Sequence, residues 1–260
     1  MNFRRILALL QYDFAILRKN KHRLMEMIYF PIVSVIAWGF FVVYAQQFAF
    51  QAAIAILVVQ IFWQFAYLSQ SSVSMTVMED IWSRTLRELL STPLTTTEFL
   101  LARIIFSLIR SFFALFVLFA VAYFVFNFNF FATLVPLLIL ATLAALGSMG
   151  IAILVVSVIL RYGTTLSFLS WSIVTGIMFL AAPFFPLSVL PQPLLAVAYG
   201  IPYTWIFEPI KKLAVTNSLT FADYLPAIIS NLFYFVISFP IFFYVFEKAR
   251  EKGRLIRLWE

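Results

Sequence analysis

The amino-acid sequence predicts an all-α polytopic membrane protein, and three observations carry that prediction. Of 260 residues, 64% are hydrophobic and 11% charged, with a mean hydropathy of +1.01; a soluble domain is about half apolar and about a quarter charged. Six stretches stay apolar over the ~20 residues that a helix needs to cross a hydrocarbon layer about 30 Å thick. Sixteen of the eighteen Lys and Arg residues fall in segments that six alternating crossings place on one side. The net charge of +7 therefore marks the cytoplasmic face and an anionic lipid surface rather than a nucleic-acid partner. There is no cysteine, hence no disulfide framework and no thiolate chemistry.

The N-terminus comes first. Arg4 and Arg5 precede an apolar run, as in a signal peptide, but Gln11 and Asp13 break it, a basic run follows and no small-residue cleavage site appears. Phe3, Ile6, Leu7, Leu10, Phe14 and Leu17 instead share one face of a 3.6-residue period, so residues 1–23 read as an amphipathic interface helix ending in a basic run. The predicted spans are Leu24–Tyr44, Gln51–Ser72, Arg103–Phe126, Phe130–Leu160, Thr164–Phe184 and Tyr224–Phe246. The basic residues number six before the first span, four at Arg84, Arg87, Arg103 and Arg110, one at Arg161 and five in the tail 247–260. Lys211 and Lys212 alone lie on the other side, so both termini are expected in the cytoplasm. Residues 1–260 form a single transmembrane domain.

Between spans two and three, residues 79–99 interrupt the hydrocarbon. Trp82, Leu86, Leu89 and Leu90 are expected on one helical face, with Arg84, Arg87, Glu88 and Ser91 opposite. Pro93 stops that helix. Thr95 and Glu98 then have the spacing of a capping box that opens the next helix. Loops between elements usually run four to six residues; this one is longer and built as helix, stop and cap.

The string EDIWSRTLRELLSTPLTTTEFLLARI (79–104) resembles the loop between spans two and three in permease subunits of type-2 ATP-binding cassette exporters. That resemblance implies a coupling helix that docks into a groove of a separate ATPase, with Glu79, Asp80, Arg84, Arg87, Glu88, Thr92, Pro93 and Leu94 as contact residues. A second stretch, Phe184–Leu213, is similar to the family's external segment between spans five and six. It departs from the family in one place, where Ile201-Pro202 replaces Asn-Pro. Pro186, Pro191, Pro193 and Pro202 cut it into pieces too short to cross, so short re-entrant helices forming an external gate are expected there.

The resemblance further implies a homodimer, each copy paired with one of two cytoplasmic cassette ATPases, in the plasma (inner) membrane. ATP and magnesium would sit on the ATPase and no cofactor on this chain. The chain itself has no phosphate-binding glycine loop, no metalloprotease motif, no nucleophile elbow and one histidine, His22, so it is read as a permease and not as an enzyme. Formal charge is nearly absent from the spans. Arg103 and Arg110 read as snorkelling at the foot of span three, and the lack of an intramembrane acid or base weighs against an ion-coupled carrier.

In span two, Gln60, Gln64, Tyr67, Ser71 and Ser74 fall at i, i+4, i+7, i+11 and i+14. Helix–helix hydrogen bonding and a water-accessible substrate path explain such a stripe equally well. Trp171 and Thr175 form a weaker set in span five. The expected activity is export of an amphipathic drug or lipid-like substrate. A lipid-linked oligosaccharide or polysaccharide is the alternative cargo. A non-ATP secondary carrier or membrane assembly factor is the alternative class.

Overall fold

The computed structural model describes residues 2–19, 21–47 and 50–252. The side chains of residues 21–24, 26–27, 50–52, Arg87 and Leu90 lie outside the described set, as do residues 253–260, and the expectations placed on the basic run at 21–23, on Arg87, on Leu90 and on that part of the tail fall there. Among the described residues the long elements are all α-helices, without strands: α1 Phe3–Lys19, α2 Lys21–Ala45, α3 Phe50–Trp82, α4 Thr85–Ser91, α5 Thr96–Phe126, α6 Leu134–Tyr162, α7 Leu169–Leu180, α8 Gln192–Gly200, α9 Thr204–Thr216 and α10 Phe221–Glu251.

Five of these, α2, α3, α5, α6 and α10, are long and apolar enough to cross a membrane. The fifth expected span, Thr164–Phe184, is shorter than its composition suggested. Its helix α7 has 12 residues, about 18 Å at 1.5 Å per residue. A short 3-10 turn at Thr164–Leu166 leads into it, and the chain turns away at Ala182, whose φ of 50° is left-handed. Pro183 and Pro186 follow directly, and neither can extend a helix. An apolar stretch records where hydrocarbon is tolerated and not where the backbone breaks.

α3 departs in the opposite direction. It continues ten residues past the expected end at Ser72, reaching 33 residues and about 50 Å, well over the hydrocarbon thickness. Its extension is polar in sequence yet packed inside the protein: Ser74, Thr76 and Asp80 are all buried.

α3 and α6 form the centre of the bundle, and α6 packs most extensively on α10. Small residues make the α6 contact possible. A Cβ on Gly150 would stand 2.6 Å from the Tyr234 backbone, and one on Gly147 would meet the Asn231 side chain at 2.0 Å. Close backbone approach through small residues is how membrane helices gain packing when lipid is as apolar as the side chains. α2 and α10 are mostly exposed along their apolar lengths, as lipid-facing helices are.

The two ends of the bundle differ. Asp80 of α3 meets Arg103 of α5, and residues 160–162 of α6 lie beside 244–252 of α10. At the opposite end, Ile54 and Val58 of α3 share a cavity wall with Thr133 and Leu137 at the start of α6, so α3 and α6 run parallel. The described Lys and Arg residues other than Lys211 and Lys212 therefore belong to the end that carries α1 and α4, which is called the basic end below.

Candidate functional site

The helix-stop-cap reading of residues 79–99 describes the backbone well, with one change. The helix does not run unbroken from Trp82 to Ser91. Arg84 adopts φ 63°, ψ 6°, a left-handed conformation that breaks α3 from the seven-residue α4. Such a conformation costs an L-residue roughly 1–2 kcal/mol, and it turns the chain sharply at the point where α3 ends. Trp82 consequently belongs to α3 and is 54% exposed, while Leu86 is buried and Leu89 half-buried against the core. Arg84, Glu88, Thr92 and Pro93 are exposed and Leu94 is partly so. The Thr92 hydroxyl donates to the Leu89 carbonyl and the Ser91 hydroxyl to that of Glu88, closing the C-terminal end of α4.

The capping box is present. The Glu98 backbone N–H donates to Thr95 Oγ1 at 3.2 Å, and the Thr95 N–H donates to Glu98 Oε2 at 3.0 Å. Glu98 also does something that its local sequence does not announce. Its other carboxylate oxygen, Oε1, accepts from the Asn2 backbone N–H at 2.6 Å, while Arg5 Nη1 lies 3.6 Å from Oε2. Arg5 donates to the Pro93 carbonyl as well. The start of α1 is thereby fastened to the turn between α4 and α5. Removing the cap by Thr95→Ala is expected to cost about 1 kcal/mol. It should also speed protease cleavage near Arg4 and Arg5, a readout that a change in bilayer packing alone does not produce.

Behind this element lies a buried ion triad. Arg103 of α5 is fully buried and donates through Nη1 to Asp13 of α1 and through Nη2 to Asp80 of α3. Its guanidinium also stands 5.0 Å from the centre of the Phe99 ring. Two readings from the sequence are corrected here. Arg103 does not snorkel to water; it is the central cation of three helices. Asp80, expected to face the ATPase, is only 3% exposed and is engaged inside the protein. Asp13, which interrupts the apolar run of α1, is the third member. A buried charge persists only with such partners.

The polar stripe of α3 divides in two. Gln60 and Gln64 both donate to Ser34 Oγ of α2, at 2.8 and 2.9 Å. Ser74 is buried and donates to the Gln70 carbonyl at 3.2 Å, while Gln70 Nε2 donates back to Ser74 Oγ at 3.1 Å. The bonds to Ser34 join α3 to α2, whereas the Ser74 bonds lie within α3 itself. The middle, Gln64, Tyr67 and Ser71, faces a cavity of about 350 Å³ between α2, α3, α5 and α7. Phe30, Trp171, Arg110 and Glu79 complete its wall. Glu79 and Arg110 thus line this cavity from α3 and α5, whereas Thr175 is half-buried and does not line it. Ser34 had no signal beyond being a lone polar residue in an apolar helix; only its two glutamine partners reveal it.

At the opposite end, the four prolines shape the segment 184–213 as expected. Pro186 and Pro191 are extended residues before a 3-10 turn at Leu187–Val189 and before α8, Pro193 lies in the first turn of α8, and Pro202 separates α8 from α9. No piece exceeds 13 residues. α9 is buried against α3, whereas α8 is mostly exposed. Three side-chain hydrogen bonds pin the segment to the bundle: Tyr203 to Ser148 at 3.1 Å, Asn231 to the Pro202 carbonyl at 3.2 Å, and Tyr234 to the Gly200 carbonyl at 2.9 Å. Lys211 donates to the carbonyls of Ala182 and Phe185 and pairs with Glu208, holding the left-handed turn after α7. Phe184 stacks on Trp38 at 4.8 Å and on Trp63 at 5.7 Å, so an aromatic plug sits beneath this segment.

Together these features define a class: a polytopic α-helical membrane protein, with a short helix, α4, set off at the basic end and a segment of short, proline-broken helices at the other. The chain belongs to the ABC-2 type transporter family, whose model matches residues 4–214. No curated protein matches the chain. The family match takes in nearly all of α1 and α9 and every helix between them, and leaves α10 outside.

Proposed function

We propose that this chain is the transmembrane subunit of an ATP-driven exporter that moves an amphipathic, drug- or lipid-like substrate outward. The observation that carries the reading is α4 itself, a short helix set off from the 33-residue α3 by the left-handed Arg84, with Glu88 and Ser91 exposed and the start of α1 fastened to the turn that follows it. In this reading two copies of the chain form a homodimer, and each receives one cytoplasmic cassette ATPase carrying ATP and magnesium. The complex lies in the plasma (inner) membrane with both termini cytoplasmic, and the segment from Thr164 through α7 makes the fifth of six crossings.

Arg84, Arg87, Glu88, Thr92, Pro93 and Leu94 offer the contact surface; Glu79 and Asp80 act from inside. When the ATPase dimer closes on nucleotide it displaces α4. The buried Asp13–Arg103–Asp80 contacts make α1, α3 and α5 move with it, so nucleotide binding shifts the population of the membrane states. The substrate rests in the Gln64–Tyr67–Ser71–Trp171 pocket, whose rings and amides suit an amphipath, and leaves past the aromatic plug and the re-entrant gate around Pro186, Pro191, Pro193 and Pro202.

The test is co-purification with a cassette ATPase followed by ATPase assays in nanodiscs. Arg84→Glu/Arg87→Glu is expected to abolish substrate-stimulated ATPase activity and export while leaving the thermal midpoint of the permease unchanged. Unaltered stimulation in that variant removes the lever from the mechanism.

A further inference from the structure

At the basic end, α6 and α10 finish side by side and leave a cavity of about 330 Å³ between their last turns. Arg161, Lys248 and Lys252 converge on it, with Leu160 at its floor and Tyr162 and Tyr244 beside it. Among the described residues no carboxylate lines this cavity; Glu247 is on another side of α10, 3.8 Å from Arg250. Two of the cations are held in place. Lys248 Nζ donates to the Tyr244 hydroxyl at 3.1 Å and lies 5.3 Å from its ring centre, and the Arg161 guanidinium lies 5.4 Å from the centre of the Tyr162 ring.

Basic residues in the last turn of a helix are ordinarily accounted for by the helix dipole and by the positive-inside bias. Neither requires three of them to share one cavity. The surroundings narrow the ligand further. Tyr162 and Tyr244 are 66% and 62% exposed, as interfacial aromatics are. From Tyr244 an exposed apolar stripe, Ile241, Ile237 and Phe233, runs along α10 toward the bilayer interior at helical spacing. A cationic pocket at headgroup depth, continuous with a lipid-facing groove, has the two halves of a phospholipid site.

We infer that the cavity between the ends of α6 and α10 is a binding site for the phosphate group of an anionic phospholipid, with its acyl chain lying along α10. Arg161, Lys248 and Lys252 take the phosphate oxygens, and the tyrosine hydroxyls are placed for the glycerol. The inference stands apart from the exporter reading, since it concerns a different face and needs no ATPase.

The test is native mass spectrometry of the full chain released from phosphatidylcholine nanodiscs doped with phosphatidylglycerol. The wild type is expected to retain a phosphatidylglycerol adduct that Lys248→Gln/Lys252→Gln binds roughly 25-fold more weakly. The control Arg18→Gln/Lys19→Gln, which removes two exposed cations of α1, should keep the adduct. Equal loss in both variants, or retention in both, means only diffuse attraction to the surface and overturns the site. A parallel measurement of the thermal midpoint in pure phosphatidylcholine with inorganic phosphate separates the two sources of the group. Stabilisation by inorganic phosphate without any retained phosphatidylglycerol overturns the lipid assignment.

Discussion

Arg103→Leu is expected to lower the thermal midpoint by roughly 10 °C and to release α1 from the bundle. The substitution is apolar and fits helix α5, so propensity does not decide the outcome. What decides it is that Asp13 and Asp80, both nearly fully buried, lose the cation between them. The two carboxylates then lose the charge partner that they share in a low-dielectric site. Breaking a buried ion network by removing one partner costs about 3–5 kcal/mol. Because Asp13 is on α1 and Asp80 on α3, the loss should be felt as detachment of α1, read by faster tryptic cleavage at Arg18 and Lys19 and by tryptophan fluorescence on heating. Replacing all three members by apolar residues, Asp13→Leu/Asp80→Leu/Arg103→Met, should recover most of the midpoint, since an apolar set of similar volume avoids the desolvation cost. An unchanged midpoint and cleavage pattern in Arg103→Leu would show that water already screens the site, and the mechanical link between α1, α3 and α5 would have to be abandoned.

The second large effect is expected at Gly150. A Cβ there is placed 2.6 Å from the backbone carbonyl carbon and oxygen of Tyr234 and 2.7 Å from the nitrogen of Phe235. Backbone cannot swing aside as a side chain can, so α6 and α10 must separate along the most extensive helix contact of the protein. Overpacking ordinarily costs 1–3 kcal/mol, and Gly150→Ala is expected near about 3 kcal/mol for this reason. Gly150→Leu should fail to give a monodisperse protein at all. The separation has a remote consequence, because Asn231 and Tyr234 of α10 hold the carbonyls of Pro202 and Gly200. Protease access to the segment between α8 and α9 should therefore rise in Gly150→Ala, although that segment is far along the chain. Gly176→Ala and Gly200→Ala are the controls, since a Cβ at either position meets nothing within 4 Å. Equal midpoints for Gly150→Ala and Gly176→Ala would mean that the two helices are less closely apposed than described.

Both predictions rest on features that the sequence did not disclose, while the features around them were legible. The capping box at Thr95 and Glu98 could be read directly, because its two partners are three residues apart and nothing else is needed to form it. The second use of Glu98 could not, because Asn2 and Arg5 are more than ninety positions away. Asp80 looked like a solvent-facing acid of a polar loop, and Arg103 like a snorkelling cation, since each was judged by its immediate neighbours. The stripe Gln60–Ser74 was visible as a periodic pattern, but a pattern gives a face and not what lies opposite. Ser34 opposite one part of it and a cavity opposite another divided it into packing and pocket.

The sequence by itself determined that the chain lies in a membrane, roughly where most crossings fall, which end gathers the basic residues, and that an amphipathic helix with a proline stop and a capped start lies between the second and third. Those are consequences of composition and of spacings within one or two turns, because transfer from water to hydrocarbon is paid residue by residue along a helix. Only the tertiary structure decided which polar side chains face each other across helices, that α3 outruns the hydrocarbon with its polar end packed inside, and that α7 stops at Ala182. Those outcomes depend on partners brought together from distant parts of the chain, and a buried charge or a glycine contact takes its energy from that partner rather than from its own neighbourhood.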